Sequence, residues 1–526
     1  MAKIFKSKNI IKVCILLLYA NFLFLPIVRL ISRVNISVFN EVVGSSQFKT
    51  ALYNSITTSL AASVISLLLA LIFSYCIERS NIRYKNIYSY ILVLPMLLPS
   101  ISHSFGLVSL FGSNGFLTKI FKMNIGIYGF KGIIMGSVMY SFPIAFIMIK
   151  NILSTENGSS YEALEIFGIN KFKVFVDVTF PYIKRTLLLA FFAVFTMIVT
   201  DYGVPLMIGA KTITLPVLMY NKTVAMIDYN SGSVISLFLL IPAFIAFILD
   251  SLLTERKNNQ FVTNKMYLST NSLFNIISTV VSLLASLFVI LPIIALSIMF
   301  LSKKYPIDLT FTLAHVNKTI ERGALVYLRN SIIIAIVTSI IGVILSFICA
   351  YFTTRIKGKF SKLLHICSII SMAVPGIIIG FSYMISFKNS FIYGTMLILC
   401  IVNIVHFNSS PYIMCYNELL KVNTEIENVG LVLGISRISI IFNVIIPKVK
   451  NAIIEMFSYY FVNSMMTISA VAFLSPPSPK PVSLMINQFE AQLLMESAAF
   501  VTVLILLINI ILKLLLTFIK SSAKKR

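Results

Sequence analysis

Side chains that could carry out covalent chemistry or bind a metal are few and scattered in this sequence of 526 residues. The six cysteines form no C-x-x-C pair, and none has a histidine at the spacing of a zinc site. The sequence also contains no G-x-x-x-x-G-K-[ST] loop that could bind nucleotide phosphates, and no Ser-His-Asp pattern. We therefore predict no catalytic residue, no metal site and no cofactor bound by this chain.

One carboxylate, that of Asp201, lies deep inside a long apolar segment. If the helix of that segment begins near Arg185, Asp201 lies about 24 Å along it, at about 1.5 Å per residue, in the outer half of a bilayer. Ionisable groups at such depth are costly and normally face an internal cavity. We predict that Asp201 faces a path through the membrane. The alternative is a structural hydrogen bond to a neighbouring helix, through Tyr202 or Asn463.

Two polar loops share one spacing of glycine and proline. Pro181 follows Gly168 by thirteen positions, and Pro447 follows Gly434 by the same number. Glycine can adopt the positive φ that turns the chain at the end of a helix, and proline is tolerated in the first turn of the next helix. The spacing predicts a short amphipathic helix that lies flat against one membrane face. An ordinary interfacial helix without a partner is the alternative, but two copies in matching places favour a docking role.

The elements that position these residues are apolar helices. Hydrophobic residues make up 58% of the chain, charged residues 12%, and the mean hydropathy is +0.94, which excludes a soluble enzyme, a disordered tail and a fibre. The apolar runs are continuous, not alternating, and each can cross about 30 Å of hydrocarbon as a helix. We predict an all-α membrane protein with about 12 transmembrane helices, at 10–32, 51–77, 86–110, 127–150, 186–209, 231–252, 273–301, 325–353, 363–387, 391–415, 451–474 and 495–519.

Basic residues set the predicted orientation. The net charge is +25, but the Lys and Arg residues lie in short breaks between apolar runs and form no basic stripe, so we predict no nucleic-acid partner. Their excess alternates from break to break, as expected for loops on the cytoplasmic side of a membrane. Both termini are predicted to be cytoplasmic, with membrane lipid around the spans. The loop after the seventh run is an exception, because it is basic although it is predicted to lie on the external side of the membrane.

The two halves of the chain repeat one pattern. Asn54-Ser55 and Asn330-Ser331 open the second and eighth runs, 276 positions apart, and the same interval separates Pro99 from Pro375. Six spans return the chain to the same side, which predicts parallel six-helix repeats around a central path. The predicted domains are a first span with an external loop (1–50), a first repeat (51–252), a cytoplasmic linker (253–272), a seventh span with an external loop (273–324), a second repeat (325–519) and a basic cytoplasmic tail (520–526).

The two polar loops resemble the EAA motif of bacterial ABC importer permeases, E-A-A-x-x-x-G-x9-I-x-L-P. The matching residues are Glu162, Ala163, Gly168 and Pro181 in the first copy, and Gly434 and Pro447 in the second. The second copy has Asn428 in place of Glu, and Glu427 lies one position early. We call 162–181 and 428–447 the docking loops. The resemblance implies a type I ABC importer permease fold in the bacterial cytoplasmic membrane. It also implies two separate ATPase subunits that bind the docking loops and ATP, and an extracytoplasmic substrate-binding protein.

Two further stretches, 201–205 and 464–471, are similar to fused permeases of the ferric-iron type. This similarity places Tyr202 and Ser469 with Asp201 on the translocation path and implies ferric iron as the substrate. Permeases for 2-aminoethylphosphonate share the second stretch, and thiamine and polyamine permeases are more distant. A carboxylate on the path favours a hard cation, whereas a phosphonate would need Arg or Lys. An alternative from another class is an ion-gradient secondary transporter, which usually carries several acids within the membrane.

Overall fold

A computed structural model of the chain describes residues 12–122, 125–156, 161, 164, 166–253, 268–269, 271–356, 358–474 and 480–524. The prediction of an all-α membrane protein is confirmed. In the described part of the chain the strands are those of one antiparallel hairpin, Ser302–Lys304 with Asp308–Phe311, besides a single bridge between Ser80 and Ser269. The hairpin lies in the polar loop after the seventh predicted run and was not predicted from the sequence.

Helices make up most of both halves. In the first half they are Lys12–Ile31, Ile36–Gly44, Ser46–Arg79, Lys85–Val93, Ser100–Phe111, Phe116–Phe121, Phe130–Leu153, Phe172–Val199, Gly203–Ile208, Leu215–Tyr220 and Tyr229–Leu253. In the second half they are Ser272–Leu301, Ala314–Glu321, Ala324–Arg355, Lys359–Ile370, Gly376–Phe387, Met396–Phe407, Ser409–Lys421, Glu425–Val432, Arg437–Ile440, Ile446–Lys448, Lys450–Met466, Ser483–Ala491 and Met495–Lys524. We call Ser46–Arg79 and Ala324–Arg355 the long helices.

The apolar helices are suited to a lipid environment. Among the described residues, eight helices are long and apolar enough to span a membrane, or eleven if each of three bent pairs counts as one span. The eleventh predicted run forms a shorter helix, Lys450–Met466, which is followed by turns. Large apolar side chains such as Leu68, Leu284 and Leu514 are exposed on the outer sides of the spans. Apolar surface of this extent is stable against hydrocarbon and would be a liability in water.

The third and ninth predicted runs are not continuous helices, which corrects the sequence prediction. The bent pairs are Lys85–Leu97 with Ser100–Phe121, at 106°, and Lys359–Ala373 with Gly376–Phe387, at 105°. The bends fall at Pro99 and Pro375. Leu98 and Val374, which precede the prolines, are extended because the proline ring disfavours a helical backbone at that position. The tenth run also bends, by 52°, at Asn408.

The repeated Asn-Ser pair marks a contact that the two halves share. The Ser55 hydroxyl accepts a hydrogen bond from the backbone N–H of Leu215 at 2.7 Å. The Ser331 hydroxyl accepts one from the N–H of Val482, also at 2.7 Å. Both serines are buried near the start of a long helix, and both acceptors hold the start of a short helix late in their half. The repeat read from the sequence is therefore also a repeat of hydrogen bonds.

A second shared contact exchanges its residues between the halves. A Cβ atom on Gly203 would lie 2.3 Å from the Ser100 hydroxyl oxygen. The position that faces Ser100 therefore has no room for a side chain. At the equivalent contact of the second half, a Cβ atom on Gly376 would lie 2.9 Å from the hydroxyl oxygen of Ser469. The glycine thus stands on opposite sides of the contact in the two halves. Each pair keeps the same close approach between the bent span and the segment beyond the docking loop.

The first helix of each half packs on the other half. The Tyr19 hydroxyl lies 3.1 Å from that of Ser368 and accepts a hydrogen bond from Asn408 at 2.9 Å. In the other direction, Asn275 on the first helix of the second half, Ser272–Leu301, accepts a hydrogen bond from the N–H of Asn81 in the first half at 2.9 Å. The two halves are therefore interlocked.

Candidate docking loops and transport path

Both docking loops turn at their glycine, as the spacing predicts. Gly168 has φ +66° and Gly434 has φ +74°, in the left-handed region that L side chains disfavour. The two residues directly before each glycine expose large apolar side chains. These are Ile166 and Phe167 in the first loop, and Val432 and Leu433 in the second. Ile166 is 84% exposed and Val432 is 87% exposed. Such tips are suited to contact a protein partner. Glu162 and Ala163 lie outside the described residues.

The helix that follows each glycine leads directly into the next span, which corrects the prediction of a separate helix lying flat on the membrane. In the first loop the helix Phe172–Val199 is unbroken, and in the second only Val449 interrupts the path to Lys450–Met466. A π turn precedes each proline, with bonds from Phe180 N–H to the Phe175 carbonyl and from Ile446 N–H to the Ile441 carbonyl. The wider turn relieves the clash between Pro181 or Pro447 and the carbonyl four residues earlier. Each docking loop is thereby joined to its span by helical backbone.

Asp201 lies between two helices, after Phe172–Val199 and before the short helix Gly203–Ile208. Its carboxylate is buried, and Oδ2 accepts a hydrogen bond from the backbone N–H of Val204 at 2.8 Å. This bond satisfies one of the N–H groups that the first turn of a helix leaves free. The amide of Asn463, the partner considered from the sequence, donates instead to the Tyr459 carbonyl in its own helix. A role for Asp201 on the path stays a prediction.

The other two predicted path residues lie near one boundary between the halves. Tyr202 is buried, with its ring centroid 4.6 Å from that of Tyr220. The Tyr220 ring in turn lies 5.7 Å from Phe473, which belongs to the same run of turns as Ser469. A fourth ring, that of Phe381, lies 5.7 Å from Phe473. Residues from both halves therefore form a continuous series of rings beside the predicted path.

Residues 62–259 and 342–525 each match the family model for the inner membrane component of binding-protein-dependent transport systems. The two matches together cover more than half of the chain, and they fall on the two repeats. The chain belongs to this family. Its two docking loops lie at equivalent places within the two matched regions.

Two ferric-iron permeases are similar to this inner-membrane component along most of its length. The ferric transport system permease protein FbpB of Actinobacillus pleuropneumoniae is 23% identical over 451 residues, which is 82% of this chain and 66% of the relative. The putative ferric transport system permease protein FbpB 1 of Haemophilus influenzae is 23% identical over the same number of residues, with 82% and 71% covered. This chain thus spans about two thirds of the length of these relatives.

A shorter similarity concerns another substrate. The putative 2-aminoethylphosphonate transport system permease protein PhnU of Salmonella typhi is 24% identical over 233 residues, which is 43% of this chain and 81% of the relative.

Sequence reasoning missed two buried ion pairs beside the docking loops of this inner-membrane component. Arg79 pairs with Glu156, and Arg355 Nε lies 2.9 Å from Glu427 Oε1. Two signals were present in the sequence: the arginines lie 276 positions apart, and Glu427 stands one place before the position of the motif. Neither signal identifies the partner, because the pairing depends on how the loop folds back on the long helix.

A cavity of about 440 Å³ lies beside the first docking loop. Rings of Tyr75, Phe172, Phe175 and Phe274 line it, together with Arg79. The Tyr75 ring centroid lies 5.6 Å from Phe175 and 6.1 Å from Phe274, so the rings bridge the long helix, the loop and the start of the seventh span. The cavity therefore lies between the first loop, the end of its long helix and the start of the seventh span.

Proposed function

We propose that this chain is the transmembrane permease subunit of an ATP-driven ABC importer. An external binding protein delivers a small substrate, two ATPase subunits bind the docking loops, and ATP-driven loop movement opens the path alternately to each side. The observation that carries the proposal is the pair of exposed apolar tips at equivalent positions of one chain, each joined to a span. Membership of the binding-protein-dependent family supports it. ATP binds to and is hydrolysed by the partner subunits, and this chain binds no cofactor.

We propose that the chain lies in the bacterial cytoplasmic membrane with both termini and both docking loops inside. The distribution of Lys and Arg supports this orientation, because basic loops are retained on the cytoplasmic side. The path would then run between the two repeats, past Tyr202 and Ser469, with Asp201 supporting the short helix that carries Val204. Its external end would receive the substrate from the binding protein.

We propose ferric iron as the substrate. The names of the two relatives that match most of the chain support this substrate. The oxygen-bearing side chains of Tyr202 and Ser469 also support it, since oxygen ligands suit a hard cation. An importer of 2-aminoethylphosphonate is the second candidate, favoured by the relative that matches less than half of the chain.

Reconstitution tests the proposal. The chain would be placed in proteoliposomes with its partner ATPase and binding protein, and uptake of radioactive Fe³⁺ would be measured with and without ATP. We expect uptake that requires ATP, and a loss of at least tenfold in ATPase co-purification for the double variant Ile166→Glu and Val432→Glu. Phe391→Glu, an exposed site on the predicted external side, is the matched control.

Two outcomes would contradict the proposal. Uptake driven by an ion gradient without ATP would indicate a secondary transporter. Uptake of 2-aminoethylphosphonate without uptake of iron would retain the class of protein and replace the substrate.

A further inference from the structure

Each long helix ends in a buried arginine that contacts the docking region of its own half. Arg79 is the last residue of Ser46–Arg79, and Arg355 is the last residue of Ala324–Arg355. Their side chains are only 2% and 4% exposed. Arginine is almost never so buried unless its charge is paired, so each environment must supply specific partners.

In the first half, two positions around the docking loop meet Arg79. Its Nη2 donates a hydrogen bond to Glu156 Oε2, just after the helix Phe130–Leu153. Its guanidinium group also lies 4.9 Å from the ring of Tyr161, the residue directly before the docking loop. The arginine therefore holds the loop by an ion pair at one position and by a cation–π contact at the other.

In the second half, Arg355 also meets two such positions. Its Nε lies 2.9 Å from Glu427 Oε1, directly before the docking loop. Its Nη2 donates to the backbone carbonyl of Val422 at 3.0 Å and to that of Leu419 at 3.3 Å. Glu427 is held in turn by the Tyr351 hydroxyl, which donates to Oε2 at 2.8 Å. The carboxylate here belongs to the glutamate that stands one place early in the motif.

The positions that the two arginines contact are equivalent, but the carboxylate has changed place. The docking loops lie 266 positions apart, as Gly168 and Gly434 show, so Glu156 corresponds to Val422 and Tyr161 corresponds to Glu427. In the first half the acid is at the earlier position and a ring is at the later one. In the second half a carbonyl group serves at the earlier position and the acid is at the later one. The link between arginine and loop is thus present in both halves, although its chemistry differs.

The far end of each long helix reaches the segments beside the path. Ser55 holds the N–H of Leu215, which begins the helix that carries Tyr220, and Tyr220 packs on Tyr202. Between Ser55 and Arg79 the helix is continuous and about 36 Å long, at about 1.5 Å per residue. One rigid element therefore joins the docking loop to the neighbourhood of the predicted path.

We propose that Arg79 and Arg355 are positioning residues that fix each docking loop to its long helix, so that a loop moved by an ATPase subunit moves that helix. This inference rests on the proposed function, because it needs an ATPase at each loop. It assigns the two ion pairs a part in coupling and not in binding the ATPase, since both lie behind the exposed tips.

The first test measures coupling in the assembled complex. For Glu156→Gln we expect ATPase co-purification and ATP hydrolysis within twofold of the unaltered complex, while iron uptake per ATP falls at least tenfold. Glu156→Val with Tyr161→Glu moves the acid to the place it has in the second half, and we expect it to restore uptake per ATP to within threefold. Glu156→Val alone is the matched control and should stay uncoupled. A purely structural role predicts instead that hydrolysis and uptake fall together.

The second test needs no partner subunit. Spin labels at Arg83 and Phe172 would report the distance between the long-helix end and the first loop, and labels at Lys359 and Ile438 would serve the second half. All four sites are exposed, and the exposed Cys14 would be changed to Ser. We expect Glu156→Gln to broaden only the first distance distribution and Glu427→Gln to broaden only the second.

These outcomes separate the inference from the proposed function. Unchanged distance distributions and unchanged uptake per ATP in both glutamine variants would overturn the positioning role. Failure of the folded double variant to restore a narrow distribution would overturn the equivalence of the two contacts. If the unaltered complex shows no ATP-dependent uptake, the proposed function fails, and the label distances still decide whether the arginines fix the loops.

Discussion

Asp201 shows how a single carboxylate in a membrane span can be required by the fold. Its bond to the N–H of Val204 stabilises the start of a short helix, and an asparagine amide oxygen could accept the same bond. We expect Asp201→Asn to keep the thermal stability of the purified chain and more than half of the iron uptake. Asp201→Ala should lose about 1 kcal/mol of stability, the usual cost of removing such a bond. Thermal unfolding in detergent and uptake by the assembled complex measure the two effects.

The asparagine variant distinguishes the structural role from a role of the charge in transport. If it remains folded and still couples ATP hydrolysis to the loaded binding protein, a tenfold loss of uptake would place the negative charge on the path. The cap alone predicts no such loss.

At the scale of residues, the sequence predicts what depends on local geometry. The positive φ of Gly168 and Gly434 follows from a glycine that turns the chain thirteen positions before a proline. The partners of Arg79 do not follow, because Glu156 is 77 positions away and meets it only through the packing of two helices. An acid that changes place between the halves also leaves no fixed spacing to recognise.

At the scale of elements, the turn at each docking loop carries a prediction. Gly168→Val should weaken ATPase binding at least tenfold, because a β-branched residue at positive φ is strained and would redirect the exposed tip. Gly168→Asn should be tolerated better, since asparagine adopts this conformation more readily. Gly434→Val should weaken binding less, because the second loop has Asn428 where the first has Glu162. Co-purification of the ATPase with each variant measures the effect.

A matched control is Gly44→Val, at a helix end where the backbone has ordinary φ and no atom lies within 4 Å of the added Cβ. Equal and mild effects of the two docking-loop variants on uptake and on ATPase binding would argue against the docking assignment.

The spans themselves were predictable from the sequence, but their continuity was not. The length of each apolar run locates nearly every span, because the thickness of the hydrocarbon layer sets how many residues a helix needs to cross it. Proline has different effects in two places. Pro99 lies at a bend of 106° between two helices, whereas Pro181 follows a π turn within an unbroken helix. The neighbouring helices decide between these outcomes, and their arrangement is not visible in the local sequence.

At the scale of the whole molecule, the proposed function and the two docking loops on one chain together predict the composition of the complex. We expect one copy of this 58.8 kDa chain with two ATPase subunits, and no ATP hydrolysis by the chain alone. Native mass spectrometry of the purified complex gives the count directly. A complex that contains two copies of this chain would show that one loop is not used.

The interlocking of the first helices has a consequence for biosynthesis. The hydrogen-bond partner of the Tyr19 hydroxyl, Ser368, is 349 residues further along the chain and is synthesised later. At about 5–20 residues per second, roughly 17–70 s pass between the synthesis of the first helix and the arrival of its partner. The helix Ser272–Leu301 has no such delay, because the half that receives it already exists when it emerges. A ribosome that stalls before Ser368 emerges therefore leaves the Tyr19 hydroxyl without this partner. The helix Lys12–Ile31 is then open to membrane proteases and to helices of other proteins.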